Sequence, residues 1–189
     1  MDRYIELVTF SYTKIKGFPF PEIPIENTRR NLLHNEIEKH QTAFGINYRI
    51  VSESGVYNKV TFKDIGRTDI RCYLSELGDN YITFECKRFV KNNIKKSYFY
   101  SEYIEEGIDR FRQNKYCEST NVGGMIAFIE SGDFEKANRL FMQCLQDVSL
   151  DNIAEDQSIK YNHNYIFFTK NKRLDNVLIE LTHVIMDFT

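Results

Sequence analysis

Hydrophobic and polar residues alternate along the chain with two different periods, and each period predicts one kind of element. A two-residue period, or a short buried apolar run, predicts strands in seven segments: 47–53, 56–62, 68–74, 81–87, 121–130, 161–169 and 176–187. A helical period predicts helices in three segments: 27–43, 99–113 and 134–146. The order of these elements predicts a single α/β domain with a mixed central sheet flanked by helices.

Turn and cap residues mark the expected ends of several elements. Gly55, Gly66 and the run 78–80 (Gly-Asp-Asn) are typical of turns between strands. Asn27 and Asp133 stand where the first and last predicted helices need an N-cap. These residues set the expected boundaries in both halves of the chain.

Two further segments carry their own expectations. Residues 1–24 begin with a short alternating or aromatic-rich opening, and the three prolines that follow favour an extended connector. Gly107 lies within the apolar face of the second predicted helix, where glycine costs helix stability. We therefore expect the helix backbone to approach the sheet closely at this position.

Composition places the 189-residue chain among ordinary globular proteins. Hydrophobic residues make up 42%, the net charge is −2, and no segment resembles a signal peptide or a membrane span. The sequence thus favours a cytoplasmic protein with no membrane partner. The four cysteines are widely spaced, so we expect reduced core thiols rather than a zinc site. The charge excludes a strongly basic coat for nucleic acid but leaves room for a local basic groove.

Two acidic residues and a lysine carry the chemistry that the sequence offers. Glu85 and Lys87 fall on the polar face of the strand 81–87, and Asp69 lies near the start of the strand 68–74. If these strands pair as a hairpin, Asp69 lies close to Glu85. Two carboxylates with a neighbouring ammonium group are the minimum apparatus for metal-assisted phosphodiester hydrolysis.

Alternatives remain open at this point. Asp64 and Asp79 compete with Asp69 as the first acid. A purely structural role is also open, in which Glu85 and Lys87 form an ion pair on a solvated sheet and contribute little to stability.

The order of elements and the spacing of Asp69 from Glu85–Cys86–Lys87, with fifteen residues between, resemble the PD-(D/E)xK nuclease superfamily. Thr68 stands where the name of the family has proline. The resemblance implies a restriction-endonuclease-like core at about 27–130, followed by a C-terminal extension at 131–189.

The resemblance also implies a site and an activity, namely metal-dependent hydrolysis of nucleic acid by a DNA endonuclease. Asp69, Glu85 and the backbone carbonyl of Cys86 would hold Mg²⁺ or Mn²⁺, with Glu36 as an accessory acid from the first helix of that core. Lys87 would hold the attacking water or stabilise charge on the phosphate.

Contacts to nucleic acid are expected from basic and amide side chains beside this site: Arg88, Lys91, Arg110 and Gln113. Many nucleases of this fold dimerise to cut both strands, so a homodimer is one expectation. The alternative function is a catalytically inactive nuclease-like domain that binds nucleic acid or another protein.

Overall fold

The computed structural model describes residues 2–17, 26–57, 64–76, 80–117, 119–150, 159–161 and 164–189. Helical segments are α1 (Asp2–Ile15), α2 (Glu26–His40), α3 (96–112) and α4 (Phe134–Val148). Strands are β1 (Ile50–Tyr57), β2 (Asp64–Tyr73), β3 (Tyr81–Phe89), β4 (Val122–Ile129), β5 (Ile159–Tyr161), β6 (Asn164–Lys172) and β7 (Leu178–Asp187). Short 3₁₀ turns occupy Gln41–Phe44 and Lys91–Asn93. No helix in these ranges is long and apolar enough to cross a membrane.

The strands form one mixed sheet in the order β1-β2-β3-β4-β7-β6-β5. The three central strands β3, β4 and β7 are parallel, and the outer pairs are antiparallel. Because β7 lies between β4 and β6, the C-terminal extension enters the middle of the sheet.

Helices cover both faces of the sheet, which confirms the prediction of an α/β fold with a flanked mixed sheet. One apolar core joins α1 and α2 to residues of β3 that include Ile82, Phe84 and Cys86. The other core joins α3 and α4 to the opposite face. The predicted alternation of β3 is therefore observed, and all four cysteines are buried free thiols as expected.

The first 57 residues differ from the prediction in several ways. Residues 2–15 form α1, a helix that was not predicted from the sequence. Its buried Ile5, Val8, Tyr12 and Ile15 do follow a helical spacing, but β-branched and aromatic residues have weak helix propensity. The predicted connector at 18–25 lies outside the described residues. Helix α2 begins at Glu26, so the expected cap residue is already inside it.

In the described residues two strands precede β3, where the sequence predicted three. Gly55 and Gly66 were expected in turns, but each lies within a strand, paired with Arg67 and Val56 respectively. Glycine is common in turns, but here both glycines occupy extended, paired backbone. Residues 58–63 and 77–79, which include parts of the predicted strand 56–62 and of the predicted turn 78–80, lie outside the described residues.

The second half of the chain agrees better with the elements that the sequence predicted. Asp133 caps α4 by accepting a hydrogen bond from the backbone N–H of Lys136. The middle of α3 (Phe99–Ile108) is a π-helix, a form that often occurs near functional sites. A Cβ placed on Gly107 would lie 2.5 Å from Cε of Met125 on β4, which confirms the close approach to the sheet.

Candidate active site

The site lies where β2 and β3 separate. Their antiparallel register runs from Tyr73 opposite Tyr81 to Ile70 opposite Phe84. One position further, Asp69 accepts the Cys86 backbone N–H through Oδ2 at 2.7 Å. A side-chain carboxylate thus takes the place of a backbone acceptor, which fixes its position against β3.

Glu85 on β3 lies beside Asp69 on β2, and the side chain of Glu85 is 3% exposed. Lys87 Nζ lies 3.2 Å from Glu85 Oε1, so the predicted acid and lysine share one face of the strand. Arg110 Nη1 on α3 donates to the same oxygen at 3.2 Å. Oε2 of Glu85 is buried and has no hydrogen-bond partner among the residues that the structure describes.

Two arginines reach the carboxylates from opposite helical layers. Arg30 on α2 donates from Nη1 to Asp69 Oδ1 at 2.7 Å. Arg110 approaches from α3 and also donates to the Tyr116 hydroxyl at 2.7 Å. Lys87 is the third cation of the site, and Glu106 is a third carboxylate, which accepts from Arg110 Nη2 at 3.1 Å. The formal charges of these six groups balance.

Burial and the neighbouring charge change the acidity of Glu85. Burial, and after it repulsion from Asp69, raises the pKa of Glu85 from 4.5 to about 7. Lys87 and Arg110 oppose this shift. Asp69 accepts the backbone N–H of Cys86, the residue after Glu85, so the two acids lie on neighbouring strands. A carboxyl group with a raised pKa beside a second acid is typical of functional sites.

The oxygen atoms of this site are of the kind that binds a divalent cation. Two carboxylates and the Cys86 carbonyl are oxygen ligands of the type that Mg²⁺ prefers. The unpartnered oxygen of Glu85 is a position where a cation would satisfy a buried charge. Among the described residues, no three His, Cys, Asp or Glu side chains form a metal-binding group. Mg²⁺ commonly keeps several waters, so two carboxylates fit it.

Glu36, the expected accessory acid, has other partners. Its carboxylate forms an ion pair with Lys39 and lies 3.5 Å from His40 Nε2 on its own helix. The α2 side chain that contacts Asp69 is instead Arg30. Of the competing acids, Asp64 is the first residue of β2, five positions before Asp69, and Asp79 lies outside the described residues.

The residues expected to contact nucleic acid are dispersed. Arg88 forms an ion pair with the buried Glu130, which Arg29 of α2 also contacts. Lys91 is exposed, and its backbone N–H donates to Ser131. Gln113 is exposed at the end of α3. Of this group, Arg110 is the residue that contacts a predicted site carboxylate.

Two residues of the site were missed by sequence reasoning. Arg30 precedes the buried Leu33 and Ile37 by three and seven positions, so it lies on the inward face of α2. A charged residue on an apolar stripe indicates a buried partner, and this signal was available. Tyr116 is fully buried, and its hydroxyl accepts a hydrogen bond from Arg110 beside Glu85. That polar contact had no signal in the sequence.

Comparisons with family models, with curated proteins and with solved structures found no match to this chain. The restriction-endonuclease-like identity and the nuclease activity therefore stay predictions that rest on the site itself.

Proposed function

We propose that the protein is a metal-dependent nuclease with a restriction-endonuclease-like core, which hydrolyses phosphodiester bonds of nucleic acid, with DNA as the favoured substrate. The observation that carries this proposal is the unpartnered Oε2 of Glu85, buried beside Asp69. A buried carboxylate oxygen without a donor is costly unless it binds a proton or a cation. A divalent cation held by Asp69, Glu85 and the Cys86 carbonyl would satisfy it.

Each residue then has a distinct part in the chemistry. A bound divalent cation supplies acidity to a coordinated water and offsets charge on the phosphate. Arg30 and the Cys86 N–H hold the two oxygens of Asp69, so this carboxylate is already oriented. Lys87 is positioned by Glu85 and can donate to a phosphate oxygen or to the attacking water.

Arg110 supports the binding of an anionic substrate. Its side chain is 30% exposed, more than Glu85 or Lys87, so it lies nearer the solvent. Tyr116 holds one guanidinium nitrogen, and Glu106 accepts from the other at 3.1 Å. A guanidinium group fixed in this way can contact a phosphate by paired hydrogen bonds.

The direct test is cleavage of supercoiled plasmid in Mg²⁺ or Mn²⁺, with EDTA as the metal-free condition. We expect cleavage that requires the metal and that Lys87→Ala lowers about a hundredfold or more, the usual cost of removing one transition-state donor. The matched control is Lys172→Ala, which removes an exposed lysine from β6, across two strands from β3. Cleavage in EDTA, or equal loss of activity in both variants, would contradict the proposal.

One observation favours a second function, a nuclease-like domain that binds nucleic acid without cutting it. Arg30 already neutralises Asp69, and Glu85 has two cations on Oε1. The partly exposed Arg110 could therefore contact a phosphate without any metal. Intact plasmid together with a retained mobility shift in EDTA would select this function.

A further inference from the structure

A basic groove lies on the α3/α4 face of the molecule, apart from the carboxylates. It has a volume of about 350 Å³ and lies between the segment that follows β3 and helix α4. Four cations line it: Lys95 and Lys96 from that segment, and Lys136 and Arg139 from α4. The protein carries a net charge of −2, so this cluster is a local departure from its overall balance.

Contacts at both ends hold the two walls of the groove together. At one end, the Lys91 backbone N–H donates to Ser131 Oγ at 2.8 Å, just before α4 begins. At the other end, Lys96 Nζ and the Tyr100 hydroxyl donate to Asp147 Oδ2 at 3.1 and 2.8 Å. The groove is thus built from two elements that are fixed side by side.

Most of its charge is available to a ligand. Lys96 is paired with Asp147. The side chains of Lys95, Lys136 and Arg139 are exposed and have no ion pair or hydrogen bond with any residue that the structure describes. Three cations without partners around one groove form a focused positive potential.

We infer that this groove binds the phosphate backbone of a nucleic acid. On α4, Lys136, Arg139 and Gln143 are spaced three and four residues apart and line the same wall. At about 1.5 Å per residue this wall extends about 10 Å. Each strand of a duplex carries one phosphate per about 3.4 Å of helix axis, so a wall aligned with that axis covers the rise of about three phosphates.

The inference rests on the proposed function for its choice of polyanion, and it adds a contact surface outside the catalytic site. The groove begins after β3, the strand that carries Glu85 and Lys87. A strand held in the groove would then extend along the same side of the sheet as these residues.

The test is the salt dependence of binding to a short labelled DNA duplex in EDTA, where no cleavage occurs. Wild type is compared with Lys136→Gln/Arg139→Gln and with a control, Lys14→Gln/Lys39→Gln, which removes the same charge from the opposite helical layer. Each lost phosphate contact lowers the slope of log K against log salt by about 0.9 for a duplex. We expect the groove variant to lose about 1.8 and the control to keep the wild-type slope.

Three results would overturn the inference: equal slopes in wild type and groove variant, equal losses in groove variant and control, or no binding to DNA. Binding of wild type to phosphatidylserine vesicles in place of DNA, abolished in the groove variant, would also overturn it in favour of a membrane surface. Groove-dependent DNA binding without metal-dependent cleavage would contradict the proposed nuclease activity but would still support the inference that the groove binds nucleic acid.

Discussion

Replacing Glu85 by glutamine should change the pH dependence of stability in a direction fixed by the surroundings of this residue. The pKa of Glu85 is raised to about 7 in the folded protein, against an ordinary value of 4.5. Below about pH 4.5 the carboxyl group is protonated in both the folded and the unfolded chain. As pH rises from there to about 7, the unfolded chain releases its proton first, so wild type loses stability.

The magnitude follows from that interval. At about 1.4 kcal/mol per pH unit, the step from 4.5 to about 7 corresponds to about 3 kcal/mol. The side chain is 3% exposed, so solvent screening reduces this figure little. Glu85→Gln keeps the size of the side chain and its acceptor oxygen but does not ionise. Relative to wild type, the variant should therefore gain about 3 kcal/mol between pH 4.5 and pH 8.

The assay is urea denaturation of both proteins at a series of pH values, without divalent metal. Glu105→Gln is the control because it replaces an exposed carboxylate, and its difference from wild type should stay within about 0.5 kcal/mol at every pH. A difference between Glu85→Gln and wild type that is flat across this range would refute the reasoning. It would mean that Glu85 is not held in a buried, repelled state.

Three further predictions concern the rest of the fold. His183 is fully buried, which lowers its pKa to about 3, so imidazole NMR signals should show a neutral ring to about pH 4. Because the imidazole of the unfolded chain protonates near pH 6.5, the free energy of unfolding should fall by about 1.4 kcal/mol per pH unit below that value. A His183 ring that titrates near pH 6.5 in the folded protein would contradict this prediction. Gly124→Ala would place Cβ 2.2 Å from Cδ1 of the buried Phe84 ring, so denaturation should show a loss of about 1–3 kcal/mol, and a loss below about 0.5 kcal/mol would be inconsistent with this contact. In a double-mutant cycle, Arg30→Met and Asp69→Asn should show a coupling of about 0.5–3 kcal/mol, whereas additive effects would exclude a stabilising pair.

Several elements could be predicted from the sequence because local signals agreed with tertiary packing. In β3 the alternation of apolar and polar residues matches two faces that are both covered. In helix α4 the N-cap residue Asp133 and the apolar face predict the same helix start. In α1 and at Gly55 and Gly66, by contrast, intrinsic propensity opposed the final structure, and packing or strand pairing decided the outcome.

The candidate site was predictable only in part. The carboxylates of Asp69 and Glu85 could be placed on paired strands because both lie in segments with a clear period. Where these strands separate, the Cys86 backbone N–H donates to the side chain of Asp69. This contact depends on the register of the two strands, which no single residue in the sequence indicates. Arg30 and Arg110 approach from different layers, so their convergence follows from the packing of helices on the sheet.

The account depends most on whether Asp69 and Glu85 hold one divalent cation between them. A crystal of the protein soaked in Mn²⁺ and measured at a wavelength where manganese scatters anomalously would test this directly. The account predicts an anomalous peak in contact with an oxygen of each carboxylate, including the now unpartnered Oε2 of Glu85. A map with no peak there, in which Arg30 and Arg110 still contact the two carboxylates, would contradict it.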